Sequence, residues 1–324
     1  MLDKLSKFYL NGTFSTIFRE DFMTNLELLM RVLFLVAIAV LGLGVGKKFS
    51  ISHKEISTLL VYVISPAVIF VSVLQAPDGR NYLFYTFGAF IICCMMATIA
   101  LQLGRLLWRD STTNLFAFAG GTGNTGYFGL PLALDLFDAK GAAIAVFIIL
   151  GVNLYEFSYG YYLTSRGSYT VSQSVKKIVG MPVLYAFVLA MGLRMLEVHL
   201  HPVILSGLSN FKGAYSVLGM MVIGLTMARF KKLEVDWRFL SAALGWKYVA
   251  WPSLAFLVLH LFSAKMDNVE QSIILLMACV PMAGNTVVIA NDLNIHPEKA
   301  ATAVMASTLL AIAVVPLVLA FLKA

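Results

Sequence analysis

The sequence predicts an all-α membrane protein with ten transmembrane helices, arranged as a 5+5 inverted repeat with broken, crossing helices four and nine. The evidence is the composition, the spacing of apolar stretches and one repeated tripeptide. Of the 324 residues, 60% are hydrophobic and 13% are charged, and the mean hydropathy is +0.84. A soluble domain of this length cannot bury so much apolar surface. The predicted solvent is therefore lipid.

Ten apolar stretches are each long enough to cross about 30 Å of hydrocarbon, at about 1.5 Å per helical residue. They lie near residues 24–46, 54–75, 81–107, 113–137, 140–164, 177–197, 203–228, 237–262, 269–293 and 298–322. The longest polar stretch between them separates five stretches from five. Because five is odd, the second half enters the membrane upside down relative to the first.

The predicted organisation has four parts. Residues 1–23 are a charged N-terminal extension, 24–164 the first five-helix repeat, 165–177 a central cytoplasmic loop and 178–324 the second, inverted repeat. Lys and Arg number thirteen in one set of loops and nine in the other, so the richer set is assigned to the cytoplasm and both termini to the outside. The expected location is the plasma membrane, the inner membrane of a bacterium. No cleaved signal peptide is expected.

The tripeptide Gly-Asn-Thr begins at Gly123 in span four and again at Gly284 in span nine. Glycine and proline disfavour a helix interior, by about 1 and about 3 kcal/mol respectively. The predicted helix-break residues are Gly123, Pro131, Pro281 and Gly284. Paired interruptions at matching positions indicate a transporter's binding site. The alternative is simple kinking or small-residue helix packing.

If the two breaks cross at mid-membrane, two helix N-termini face one cavity and offer N–H groups and partial positive charge to an anion. Side chains within and after the tripeptides add donors and acceptors. The predicted substrate-binding residues are Asn124, Thr125, Gly126, Asn285, Thr286, Asn153 and Lys247. Asn153 and Lys247 belong to this set because they lie deep in spans five and eight.

Two ionisable residues lie deep in spans, where a charge costs about 2.5 kcal/mol or more and usually faces a cavity. Lys247 in span eight is a candidate for binding an anionic substrate or carrying a coupling proton. Glu156 in span five is the proton-coupling candidate, or the counter-ion of Lys247. Asn153 lies three positions before Glu156, on the same helical face. A purely structural ion pair is the alternative.

Enzyme signatures are absent from the sequence. There is no phosphate-binding P-loop, no metal-ligand cluster and no nucleophile elbow, so no catalytic residue, cofactor or metal is predicted. The three cysteines lie in apolar spans and predict neither disulfides nor a zinc site. The net charge of +7 does not indicate nucleic acid, because the basic residues lie in short loops beside apolar spans.

The chain resembles the auxin efflux carrier family. The resemblance rests on Gly123-Asn-Thr-Gly-Tyr-Phe-Gly-Leu-Pro131, on Pro281 followed by Asn291-Asp-Leu-Asn-Ile-His-Pro297, on Leu218–Ala228 and on Ser65–Phe70. It implies a ten-helix inverted repeat similar to that of bile-acid sodium symporters. It also implies a mobile transport domain of spans three to five and eight to ten, against a scaffold of spans one, two, six and seven that forms a homodimer. The N-terminal extension and the short central loop depart from the long plant members, so malonate, malate or a similar carboxylate is expected instead of auxin.

The sequence therefore predicts a secondary active transporter of a small organic anion, working by elevator-type alternating access. Its expected partners are that anion, the lipid bilayer and a second copy of the chain, with H⁺ or Na⁺ left open as coupling ion. The first alternative is a sodium-coupled symporter of the bile-acid type, with Na⁺ held by oxygens at the breaks. A channel or receptor is the second; the polar residues cluster at one depth instead of forming a continuous path.

Overall fold

The computed structural model describes residues 33–49, 53–77, 82–165, 182–228 and 235–320, together with the single residues 30, 51, 172, 179 and 180. Throughout these residues the regular elements are helices and no strand occurs. The predicted N-terminal extension and most of the predicted central loop lie outside the described residues.

The helices of the first half are named in chain order. They are α1 (33–48), α2 (53–74, comprising His53–Leu59, Leu60–Ile64 and Ser65–Leu74), α3 (Leu83–Leu107), α4 (Thr112–Gly121), α5 (125–136, comprising Thr125–Gly129 and Leu130–Leu136) and α6 (Ala139–Thr164). Those of the second half follow. They are α7 (Pro182–Met195), α8 (Pro202–Ala228), α9 (Trp237–Phe262), α10 (Asn268–Cys279), α11 (Asn285–Asp292) and α12 (Pro297–Ala320).

Helices lie in every predicted span. By length and hydropathy, α3, α6, α9 and residues Pro297–Val318 of α12 are each able to cross a membrane. Spans four and nine are each divided into two helices, with residues 122–124 and 280–284 between the pieces. The helical class and the interruptions thus agree with the sequence prediction.

Three helices contain a π turn that ends two residues before a proline. The pairs are Leu60–Ile64 with Pro66, Thr125–Gly129 with Pro131, and Trp246–Ala250 with Pro252. Proline lacks an N–H and its ring clashes with the carbonyl four residues earlier. The wider π turn moves that carbonyl away, so the helix continues through the proline instead of ending there.

The helices pack in two groups. In the first, α2 contacts both α7 and α8. In the second, α3, α4, α6, α9, α10, α11 and α12 contact one another, with α5 packed on α6. The groups meet mainly where α8 lies on α5 and α2 lies on α6. The scaffold and transport domains that the family resemblance implies would divide the helices in the same way, and their separate movement stays a prediction.

Glycines let α1 and α8 approach closely. A Cβ added to Gly224 of α8 would lie 2.5 Å from the backbone nitrogen of Leu43, and one added to Gly42 of α1 would lie 3.0 Å from the Cα of Met221. Backbone atoms cannot move aside as a flexible side chain can. These two glycines therefore fix the distance between the helices, as small residues do in membrane packing.

We expect Gly224→Leu to destabilise the protein by about 1–3 kcal/mol or more, because overpacking here pushes against backbone. The thermal midpoint in detergent should fall by several degrees. Gly213→Leu, on the same helix, is the matched control, since a Cβ at Gly213 meets nothing within 4 Å. An unchanged midpoint for Gly224→Leu would show that α1 and α8 do not cross at this point.

Candidate functional site

The two interrupted spans meet at their breaks. The Asn124 N–H donates to the Pro281 carbonyl over 2.8 Å, which joins the first break to the second. Asn124 also caps α5, because its Oδ1 accepts from the Tyr127 N–H over 3.2 Å. The N-termini of α5 and α11 both begin here, each at a Gly-Asn-Thr tripeptide. Some of their first N–H groups bond to carbonyls just before each helix, as Thr125 does to Gly123 over 2.7 Å and Thr286 to Ala283 over 3.1 Å, so the helix dipoles act on the crossing more than free N–H groups do.

The four predicted break residues differ in position. Gly123 lies in the first break, and Pro281 and Gly284 lie in the second. Pro131 lies further on, in the first turn of Leu130–Leu136, where the preceding π turn accommodates it. The chain therefore leaves the helix at the glycine-rich residues before Pro131 and not at the proline itself.

Glu156 links both breaks. Its Oε1 accepts a hydrogen bond from the Thr122 hydroxyl in the first break, and its Oε2 accepts one of 2.6 Å from the Asn285 side-chain amide in the second. The residue is 2% exposed and begins a π turn of α6. The Glu156 carboxyl thus joins α6 to the first break and to the second break. A change in its protonation would therefore change hydrogen bonds to both breaks. Thr122 was not among the residues predicted from the sequence.

A polar cavity of about 360 Å³ opens at the crossing, between the two groups of helices. The predicted residues that line it are Gly123, Asn124, Thr125, Gly126, Asn153, Glu156, Gly284 and Asn285. The opposite wall comes from α2, α7 and α8, and includes Tyr62, Ser65, Val183 and Tyr215. The volume lies within the range usual for small-molecule sites, about 300–1,000 Å³.

Asn124, on the wall of this cavity, has an unused side-chain donor. The residue is 5% exposed, and its Nδ2 has no hydrogen-bond partner in the described part of the chain. Leaving a buried donor unsatisfied costs about 1–3 kcal/mol. An acceptor in the cavity would remove that cost, so the site is suited to a ligand with hydrogen-bond acceptors.

Lys247 lies on the other side of the first break. It is 2% exposed, and its Nζ lies 4.9 Å from the centroid of the Trp251 ring, a cation–π distance. A Cβ added to Gly123 would lie 2.5 Å from that Nζ. Lys247 lines a second, apolar cavity that shares Gly123 and Thr125 with the polar cavity. Among the described residues, no ion pair within 4.0 Å joins Lys247 to Glu156.

Tertiary contacts satisfy the backbone freed at the breaks. The indole N–H groups of Trp246 and Trp251 both donate to the Gly120 carbonyl at the end of α4, each over 2.9 Å. The Met282 N–H in the second break donates to the Ser307 hydroxyl of α12 over 3.0 Å. Such partners are needed because a free backbone group in lipid costs several kcal/mol. Thr286, a predicted binding residue, is fully buried and does not line the polar cavity. Its Oγ1 has no hydrogen-bond partner in the described residues.

Ionisable side chains meet at the N-terminal ends of α4, α9 and α12. Lys299 Nζ contacts Asp236 Oδ2 at 2.8 Å, and His296 Nε2 contacts Asp110 Oδ2 at 3.2 Å. Hydrogen bonds from Lys299 and the Phe239 N–H lower the pKa of Asp236. Burial would raise the pKa of Asp110, but its hydrogen bonds from Thr112 hold the pKa below the ordinary value. These carboxylates therefore stabilise the fold above the ordinary aspartate pKa and lose that effect as the pH falls through the lowered pKa.

Comparisons with known proteins show that the chain is similar to membrane transporters. A family model described as a membrane transport protein matches residues 168–319. An uncharacterized transporter of Methanocaldococcus jannaschii is 24% identical, covering 89% of this chain and 97% of the relative. An uncharacterized transporter of Methanothermobacter thermautotrophicus is 25% identical, covering 91% and 98%. A Rhizobium meliloti protein named as a proposed malonate transporter is 24% identical, covering 80% and 84%. These matches confirm the resemblance to the auxin efflux carrier family.

Proposed function

We propose that this relative of the auxin efflux carriers is a secondary active transporter of a small organic anion, a mono- or dicarboxylate, in the plasma membrane. Ten membrane-spanning helices would form two inverted repeats of five. The group formed by α3–α6 and α9–α12 would move as one body against α1, α2, α7 and α8. The scaffold helices α1, α2, α7 and α8 would also form the interface of a homodimer, as in the family.

The observation that carries the proposal is the polar cavity at the crossing of the two breaks. Two helix N-termini supply partial positive charge there, which favours an anion. The unused donor of Asn124, buried to 95%, adds a specific position for an acceptor oxygen. A carboxylate offers acceptor oxygens and negative charge together, so it satisfies both features of the site.

The position of the cavity suits alternating access. One wall comes from the breaks and α6, and the other from α2, α7 and α8. If the first wall moves relative to the second, it carries the helix N-termini, Asn124 and Glu156 with it as a unit. The binding groups then stay together while a different part of the opposing wall comes to face them. Transporters that work by alternating access keep one binding site between two bodies in this way.

Glu156 provides a route to proton coupling. Its carboxylate lines the same cavity as the proposed anion site, and two like charges so close together repel in a medium of low dielectric. Protonation of Glu156 removes that repulsion. Binding of the anion and binding of the proton would therefore favour each other, and the two would cross the membrane in the same direction.

Uptake by purified protein in proteoliposomes tests the proposal. A panel of labelled carboxylates, including acetate, malonate and malate, is presented with a pH gradient, with a Na⁺ gradient or with neither. We expect saturable uptake of at least one small carboxylate, driven by the pH gradient. Uptake that requires Na⁺ and ignores the pH gradient would replace proton coupling with the sodium symporter alternative. Uptake equal to that of protein-free liposomes across the panel would contradict the proposed substrate class.

A further inference from the structure

The apolar cavity beside Lys247 lacks a role in the transport of a small polar anion. Its volume is about 250 Å³, and it lies between α3, α6, α9 and α10. Its walls include Phe84, Gly88, Cys93 and Phe262, and it extends from the first break toward the far end of α9. A small dicarboxylate would find almost no hydrogen-bond partners along most of this length.

The charge in this cavity is concentrated at one end. Among the described residues lining it, Lys247 is the one with a charged side chain. Lys247 is 98% buried, and no carboxylate lies within 4.0 Å of its Nζ in the described part of the chain. A buried ammonium is expensive without a counter-charge. The Trp251 ring supplies part of the compensation, and an anion would supply the rest.

The other end of the cavity reaches the lipid-facing surface. Phe84 and Phe262 line the cavity and are 65% and 45% exposed, respectively. Phe84 is the second residue of α3 and Phe262 the last of α9, so this opening lies near the ends of two predicted spans, at the level of the lipid headgroups. A single-chain carboxylate in a bilayer keeps its charged head at this level, so it can enter the cavity head first from the membrane.

We infer that this cavity binds a single-chain fatty carboxylate taken from the bilayer. The carboxylate lies against Lys247 at the break, and the alkyl chain runs between α3 and α9 toward Phe262. The lining favours a ligand of this kind, because one buried cation pairs with one anionic head and the apolar walls pack against an alkyl chain. This cavity is distinct from the polar cavity but adjoins it, because both are lined by Gly123, Thr125 and Val152, so its occupant touches the same break.

Binding of labelled decanoate to the protein in lipid nanodiscs tests the inference, with empty nanodiscs subtracted to remove partitioning into lipid. We expect saturable binding of one decanoate per chain, and no saturable binding of the uncharged decanol. Lys247→Met should weaken decanoate binding at least tenfold, as for the loss of a charge-assisted contact. Lys265→Met is the matched control, because that lysine is exposed and outside the cavity lining.

A second variant tests whether the alkyl chain of decanoate occupies the cavity, without changing the charge of Lys247. Gly88 lines the cavity, and a Cβ added there meets nothing within 4 Å, so Gly88→Leu fills the space without a clash. It should weaken decanoate binding about fourfold for each CH₂ it displaces. Gly192→Leu, at another glycine with free space, should have no effect. Non-saturable binding, or saturable binding unchanged by either Lys247→Met or Gly88→Leu, would overturn the assignment.

Discussion

Glu156→Gln is expected to retain substrate binding but to lose the dependence of uptake on the pH gradient. Glutamine keeps the size of the side chain: its one oxygen can accept from the Asn285 amide while its NH₂ group donates to the Thr122 hydroxyl, but it cannot take up a proton. With the charge permanently absent, the anion binds without a proton, so a pH gradient no longer drives it. The measurement is initial uptake in proteoliposomes at a fixed inside pH and a varied outside pH.

Glu270→Gln provides the matched control. Glu270 is as buried as Glu156, at 2% exposed, but it lies at the start of α10, where it completes a capping box with Asp267. Glutamine serves in the same position of such a box. This variant should keep the wild-type response to pH. A Glu156→Gln protein that responds to the pH gradient as the wild type does would exclude Glu156 as the proton carrier.

Asn124→Asp is expected to reduce anion uptake by about tenfold to a hundredfold. The substitution removes the unused Nδ2 donor and adds a negative charge beside the anion site, and a lost hydrogen bond to a charged ligand alone costs about 1.5–3 kcal/mol. The helix cap survives, because an aspartate oxygen can still accept from the Tyr127 N–H. Thermal stability should therefore stay near that of the wild type while the apparent substrate affinity falls.

Asn268→Asp makes the same change at an exposed asparagine on the first turn of α10. It should leave uptake unchanged, which separates the effect of the cavity from the general effect of added charge. If Asn124→Asp transported its substrate at the wild-type rate and affinity, the Asn124 amide would not contact the anion. The polar cavity would then lose its most specific feature as a substrate site.

Much of the fold could be predicted from the sequence because lipid imposes simple rules. A span must be apolar and of a minimum length, and the backbone of a spanning segment must be helical unless protein satisfies it. The glycines around Gly123, and Gly284 with Pro281, disfavour a continuous helix at matching places in the two halves, so the interruptions could be predicted from the sequence. The inverted relation of the two halves and the movement of one group remain predictions.

Side-chain partners were less predictable, because they depend on which helix faces which. Sequence spacing gave no sign that Trp246 and Trp251 share the Gly120 carbonyl, or that Thr122 donates to Glu156. The π turns add a further difficulty. Each inserts one residue into a helix and rotates everything after it, so the usual three- and four-residue spacing misplaces the faces.

Lys247 illustrates the same limit. The sequence predicted that a lysine deep in a span would face a functional cavity and bind the anion. It does face a cavity, but one walled by apolar residues on the opposite side of the break from Asn153 and Glu156. Depth along a helix can be read from the sequence, whereas the direction in which a side chain points depends on the π turn Trp246–Ala250 that contains it.

The central claim, that the transported anion occupies the polar cavity, is tested most directly by substrate protection of cysteine labelling. In a protein with Cys93, Cys94 and Cys279 replaced by alanine, Asn153→Cys places a thiol in the polar cavity and Gly88→Cys places one in the apolar cavity. The account predicts that saturating transported carboxylate slows labelling of the first thiol by a small maleimide and leaves the second unchanged. Protection of the second thiol alone, or of neither, would contradict it.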